Sequence, residues 1–132
     1  MKKKILIFAA TYNEARNIQN FIEQILELNI ELDLLIVDDN SPDKTWEIVE
    51  NYSKRNKNII LIKREKKQGL DTAHKTAFNF AKEKIYDYLI TLDADLSHDP
   101  KAIPNFIDQL KDYVFVIGSR YIKDGKNEMK LR

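Results

Sequence analysis

The sequence predicts an α/β fold: a mostly parallel sheet with helices packed on both faces. Three observations carry this reading. Short apolar runs recur along the 132 residues, as expected of strands covered on both sides. Segments with helical apolar spacing separate them. The two kinds alternate to the end of the periodic region, which is the pattern of parallel strands joined by crossover helices.

The first strand is Lys4-Ile5-Leu6-Ile7-Phe8-Ala9-Ala10, interrupted by the polar Thr11-Tyr12-Asn13-Glu14. Ile18, Phe21, Ile22, Ile25, Leu26 and Leu28 then predict a helix over 15–28. Asp33-Leu34-Leu35-Ile36-Val37 is a second buried strand, ending in Asp38-Asp39-Asn40-Ser41-Pro42-Asp43. Trp46, Ile48, Val49 and Tyr52 give the next helix, with Trp46 on its core face, and 58–62 the third strand. A charged loop leads to Gly69 and a helix marked by Ala73, Ala77, Phe80 and Ala81, for which Asp71 or Thr72 is the expected N-cap. Tyr88 to Leu92 is the fourth strand, cut off by Asp93-Ala94-Asp95. Pro104 suits the first turn of a helix carrying Ile107 and Leu110. Tyr113 to Ile117 is the fifth strand, closed by Gly118-Ser119-Arg120-Tyr121. The expected organisation is one domain over 1–122, with 123–132 a polar and mobile tail.

Composition removes several classes of function. A net charge of +1 gives no basic footprint for nucleic acid. The absence of cysteine excludes disulfides, thiolate nucleophiles and Cys-ligated zinc. Three glycines, Gly69, Gly118 and Gly125, cannot build a G-x-G-x-x-G fingerprint or a Walker loop. The basic start followed by Ile5–Ala10 reads as a charged cap on a buried strand rather than a signal peptide.

Polar clusters follow four of the strands, and in such sheets ligands bind beyond the strands' carboxyl ends. Asp93 and Asp95, one residue apart, can face a single Mg2+ or Mn2+ ion, which takes oxygen ligands from carboxylates and phosphates. Either could equally cap the next segment. Asp38 and Asp39 repel one another unless donors face them; a base edge or ribose hydroxyl would supply such donors, and so would an Asx-turn into Pro42. Tyr12 offers an aromatic face to a base and Glu14 an acceptor to a sugar hydroxyl. Arg120 suits phosphate or a surface salt bridge. His74 reads as a solvated helix residue, and His98 lies near enough to the acidic pair to complete a metal shell.

Taken in order, Ala10-Thr11-Tyr12-Asn13-Glu14, Val37-Asp38-Asp39-Asn40-Ser41-Pro42-Asp43, Arg64 to Leu70, Asp93-Ala94-Asp95-Leu96-Ser97-His98 and Gly118-Ser119-Arg120-Tyr121 resemble family 2 glycosyltransferases. The similarity is greatest to the dolichol-phosphate and polyprenyl-phosphate mannosyltransferases. It implies the Rossmann-like GT-A fold and inverting transfer of a hexose from a nucleotide diphosphate sugar, typically GDP-mannose, to a polyprenyl phosphate. By the same resemblance Ala10, Tyr12, Glu14, Val37 and Asp39 line the nucleoside pocket. Asp93, Ala94 and Asp95 hold the sugar-nucleotide and a Mg2+ or Mn2+ ion, and Arg120 meets phosphate. The sequence departs from the family at Ala10, where proline is frequent, at Asp71, where glycine is frequent, and at Ser97, where some members have a glutamine ligand. The resemblance also implies a further C-terminal segment with acceptor-binding and membrane-associated helices. From this follow the expectations that the chain is a truncated or naturally minimal donor-binding portion, that it transfers sugar slowly or not at all, and that it is cytoplasmic. Attachment at the cytoplasmic membrane face would be peripheral, through another segment or a partner. The alternatives are a phospho-receiver signalling domain, whose acidic pair would follow the first strand, and an inactive nucleotide-sugar-binding module.

Overall fold

The computed structural model describes residues 4–95, 97, 99–109, 113–117 and 120–123. Strand β1 (Ile5–Thr11) leads to helix α1 (Ile18–Glu27), β2 (Asp33–Asp38), α2 (Thr45–Arg55) and β3 (Ile59–Lys63). Helix α3 (Leu70–Glu83) and β4 (Tyr88–Thr91) follow. A single 3-10 turn (Pro100–Ala102) then runs into α4 (Ile103–Gln109), β5 (Tyr113–Ile117) and β6 (Arg120–Lys123). The sheet order is β3-β2-β1-β4-β5-β6, parallel from β3 through β5, with β6 antiparallel to β5. The chain steps from β1 outward to β3 and then crosses to β4 on β1's other side. The strand order therefore reverses between β1 and β4, the kind of place where open α/β sheets bind ligands.

Alternation along β1 divides the core. Ile5, Ile7 and Ala9 pack with Ile18, Phe21, Ile22 and Ile25 of α1 and Val49 and Tyr52 of α2. Leu6 and Phe8 face α3 through Ala73, Ala77 and Ala81. Four-residue spacing puts those alanines on one stripe, and their small size lets α3 lie close on the sheet. Each large side chain buried in these layers contributes about 1.5–3 kcal/mol.

The loops after β1 and β2 are stapled together by hydroxyls and carboxylates. Asp38, fully buried, accepts from Thr11 Oγ1 at 2.6 Å and from Ser41 N and Oγ at 2.9 and 2.7 Å. Ser41 Oγ in turn accepts from Asn13 N at 2.9 Å. The pattern repeats one turn on: Glu14 N donates to Thr45 Oγ1 at 2.9 Å, and Thr45 Oγ1 donates to Asp43 Oδ1. Asp43 Oδ2 takes the Ala15 N–H at 3.0 Å. These bonds hold the Asp43 carboxyl below the usual range although burial on its own would raise it. Tying down the amides of residues 13–15 leaves 15–17 in a turn, so α1 begins at Ile18 and not at Ala15.

Three other expectations are corrected. Neither Asp71 nor Thr72 caps α3; Gly69 precedes it with a φ of 96°, a value L side chains rarely adopt, and Thr72 Oγ1 turns back to the Gln68 and Gly69 carbonyls. Trp46 is only half-buried, and the ammonium of Lys63 lies 3.5 Å from its ring centroid. Arg120–Lys123 forms a sixth strand, too short to show a period and fixed by pairing Ile117 with Arg120. Leu110 and 124–132, where the tail was expected, lie outside the described residues.

Replacing Asp38 by Ala strands three buried donors, from Thr11 and Ser41. We expect a loss of about 3 kcal/mol, measured by urea denaturation. A change below about 0.5 kcal/mol would show that the seam carries no stability.

Candidate functional site

At the carboxyl edge of the sheet a cavity of about 170 Å³ opens between the ends of β1 and β2 and the start of α3. Ala10, Tyr12 and Asp39 line it, as do Lys67, Gly69, Leu70 and Ala73. Tyr12 presents an exposed ring, and the Lys67 ammonium lies 4.5 Å from its centroid. A larger recess of about 350 Å³ lies at the opposite edge, beside Ile25, Asn29 and Asn58, away from every polar cluster named above.

Adjacent carboxylates at the end of β2 part company. Asp38 belongs to the loop seam. Asp39 turns the other way into a nearly buried ion pair with Arg64: Nε to Oδ1 at 2.5 Å and Nη2 to Oδ2 at 2.9 Å. Gln68 N adds a bond to Oδ2 at 3.0 Å. Arg64 also donates to Thr72 Oγ1 at 2.9 Å and to the Gly69 carbonyl at 3.2 Å, so one guanidinium fastens the β3–α3 loop to the end of β2. Burial alone would raise the Asp39 carboxyl; the bonds and charge of Arg64, with the Gln68 and Gly69 amides, hold it below the usual range. Arg64 was not singled out from the sequence. The signal was register: Asp38 pairs with Lys63, so the next residue on each chain meets at the strand ends.

Two strands from β2, the end of β4 carries Asp93 and Asp95 exposed on either side of buried Ala94. Asp95 Oδ1 accepts from Ser97 N at 2.9 Å, and Ser97 Oγ donates to Asp93 Oδ2 at 3.4 Å. Two hard carboxylates fit magnesium or manganese. No set of three or more acidic, His or Cys ligands occurs among the described residues. His74, expected to be solvated, is half-buried with its ring edge-on to Phe8, centroids 5.3 Å apart. Burial pushes its pKa below the ordinary value, against the pull of Asp71 and Asp93.

The structure thus brings Ala10, Tyr12 and Asp39 into one cavity and sets Asp93, Ala94 and Asp95 beyond the neighbouring strand. Val37 lies buried in the α3-facing core, and Glu14 takes a bond from Asn17 Nδ2 at 3.3 Å; neither lines the cavity. The Arg120 backbone opens β6, while its side chain and His98 lie outside what is described.

Arg64→Met leaves Asp39 buried without its cation, at a cost of about 3 kcal/mol near neutrality. The wild-type pair contributes fully above the unfolded carboxyl pKa of about 4 and is lost as pH falls through the lowered folded value. In the variant the unpaired carboxyl binds a proton readily, which relieves it in acid. The stability difference should therefore shrink below about pH 4. Urea melts at neutral and acid pH check this; a difference constant with pH would mean the pair acts through packing alone.

The profile described as Glycosyl transferase family 2 matches residues 6–131. A dolichol-phosphate mannosyltransferase of Pyrococcus furiosus is 36% identical over 128 residues, 95% of this chain and 35% of that protein. An undecaprenyl-phosphate mannosyltransferase of Micrococcus luteus is 32% identical over 123 residues, 93% of this chain and 51% of that protein. The chain thus spans between about a third and a half of these curated relatives. Among solved structures, a Pyrobaculum calidifontis mannosyltransferase in complex with GDP-Man and Mn2+ superposes with a TM-score of 0.72. It is 24% identical and covers 85% of this chain and 33% of that one, a likeness that shows the α/β GT-A fold. A receiver would order its strands 2-1-3-4-5, against the 3-2-1-4-5 run seen here. Fold, cluster order and profile agree, and the chain belongs to glycosyl transferase family 2.

Proposed function

We propose that this chain is the donor-binding part of an inverting glycosyltransferase that moves mannose from GDP-mannose to a polyprenyl phosphate. The observation that carries the reading is the single edge on which an aromatic-and-carboxylate cavity and an Asp-x-Asp pair flank the strand-order reversal. Relatives named for mannosyl transfer to lipid phosphates, and a fold neighbour in complex with GDP-Man and Mn2+, support the choice of donor and acceptor.

In this reading Tyr12 stacks on the base. Asp39, held in place by Arg64 with the Gln68 and Gly69 amides, stands at the cavity wall beside the base edge. Asp93 and Asp95 would hold magnesium or manganese, and the ion would supply positive charge beside the diphosphate. Arg120 adds charge to phosphate oxygens. The acceptor phosphate is ionised near neutral pH, so its oxygen attacks the sugar's anomeric carbon without a strong base. The bond from that carbon to the diphosphate breaks as the new bond forms on the opposite face, and the electron pair leaves with GDP. Positioning and charge stabilisation carry the rate. No helix among the described residues is long and apolar enough to cross a membrane. We place the chain in the cytoplasm, meeting the lipid phosphate peripherally at the membrane surface.

Asp95→Asn should weaken manganese-dependent GDP-mannose binding about tenfold, ~1.4 kcal/mol, while the urea midpoint stays put. Calorimetry with manganese reads it, and equal affinity of variant and wild type would sink the assignment. Asp39→Ala should weaken GDP by roughly 1–3 kcal/mol and leave inorganic diphosphate unaffected. Comparable losses for both ligands would remove Asp39 from base recognition.

A further inference from the structure

Lys67 lines the same cavity as Tyr12 and Asp39 and lays its ammonium over the Tyr12 ring at 4.5 Å. A base stacking on that ring competes with the ammonium for the aromatic face. Arg64 cannot take over the positive charge, because its guanidinium is engaged by Asp39, Thr72 and the Gly69 carbonyl. Among the residues lining the cavity, Lys67 carries the positive charge. Its backbone has little freedom to retreat: the next amide, Gln68 N, is fixed to Asp39 Oδ2 at 3.0 Å. A displaced ammonium therefore stays at the cleft rim on its flexible stem, where a three-donor cation seeks an anion.

Resting on the nucleotide-binding reading above, we propose that Lys67 is an exchange cation that selects nucleoside diphosphates over nucleosides. Its ammonium guards the Tyr12 face and moves to the diphosphate when the base takes that face. A neutral nucleoside must displace the ammonium and offers it no charge in return. A nucleoside diphosphate displaces it and receives it on its own phosphate oxygens, a charge-assisted contact. The same side chain thus opposes one ligand and favours the other.

The test is a pair of titrations on wild type, Lys67→Met and Lys67→Arg, with manganese present: GDP by calorimetry and guanosine by NMR. Lys67→Met removes both the competitor and the charge. Guanosine should bind about twofold to fivefold more tightly, and GDP about fivefold or more weakly. Lys67→Arg, which keeps a cation, should retain GDP affinity within about twofold. Opposite signs for the two ligands support the proposal, because a lysine that merely shapes the loop would move both the same way. Weakening of both ligands together, or unchanged GDP affinity in Lys67→Met, overturns it while the nucleotide site stands. Failure of wild type to bind GDP at all would overturn the functional reading and the exchange cation with it.

Discussion

The buried carboxylate of Asp38 is the constraint on which the functional edge depends. With no solvent to satisfy it, it must be met by protein donors, and Thr11 at the end of β1 and Ser41 in the loop after β2 meet it. That requirement fixes the end of β1 against the end of β2. Ser41 and Thr45 then act as relays, each hydroxyl receiving an amide of the first loop and giving its proton to a carboxylate of the second. The placement of Tyr12 follows, since its neighbours on either side are held. So does that of Asp39, one residue past the fixed carboxylate.

A second network meets the first at that residue. Arg64 satisfies Asp39 and reaches on to Thr72 and Gly69, so the start of α3 is located by an ion pair and not by a helix cap. This explains how a glycine-poor chain forms a ligand edge. Beside Gly69, the positive-φ positions of this edge are taken by Asn13, Asn40 and Lys44, and side-chain oxygens and one guanidinium position the backbone around them.

The buried strands and helix stripes were legible in the sequence because burial imposes period and run length on every residue of an element. The polar loops were legible only as clusters. Asp38 and Asp39 look equivalent side by side, and what separates them is the partner each meets across the sheet. Neither partner is local: Thr11 lies on β1, and Arg64 follows β3. The same holds for the start of α3, where local rules favoured Asp71 or Thr72, and Arg64 drew Thr72 into its own bonds. Strand β6 escaped detection because four residues show no period, and its register belongs to β5. The family motifs led further than periodicity did, since the clusters after β1, β2, β3 and β4 follow parallel strands and so fall on one edge of the sheet.

Ala73 is a floor tile of the cavity and a member of the core layer beneath α3 at the same time. The cleft therefore has no separate lining that could be remodelled apart from the scaffold. Any side chain larger than a methyl group at this position would lift the helix from Phe8 as it filled the binding space. Changes of ligand shape in this architecture must be accommodated from the rim, by the residues before Gly69 and by Tyr12, while the floor stays locked to the sheet. Depth is set by packing, and breadth alone is left to vary.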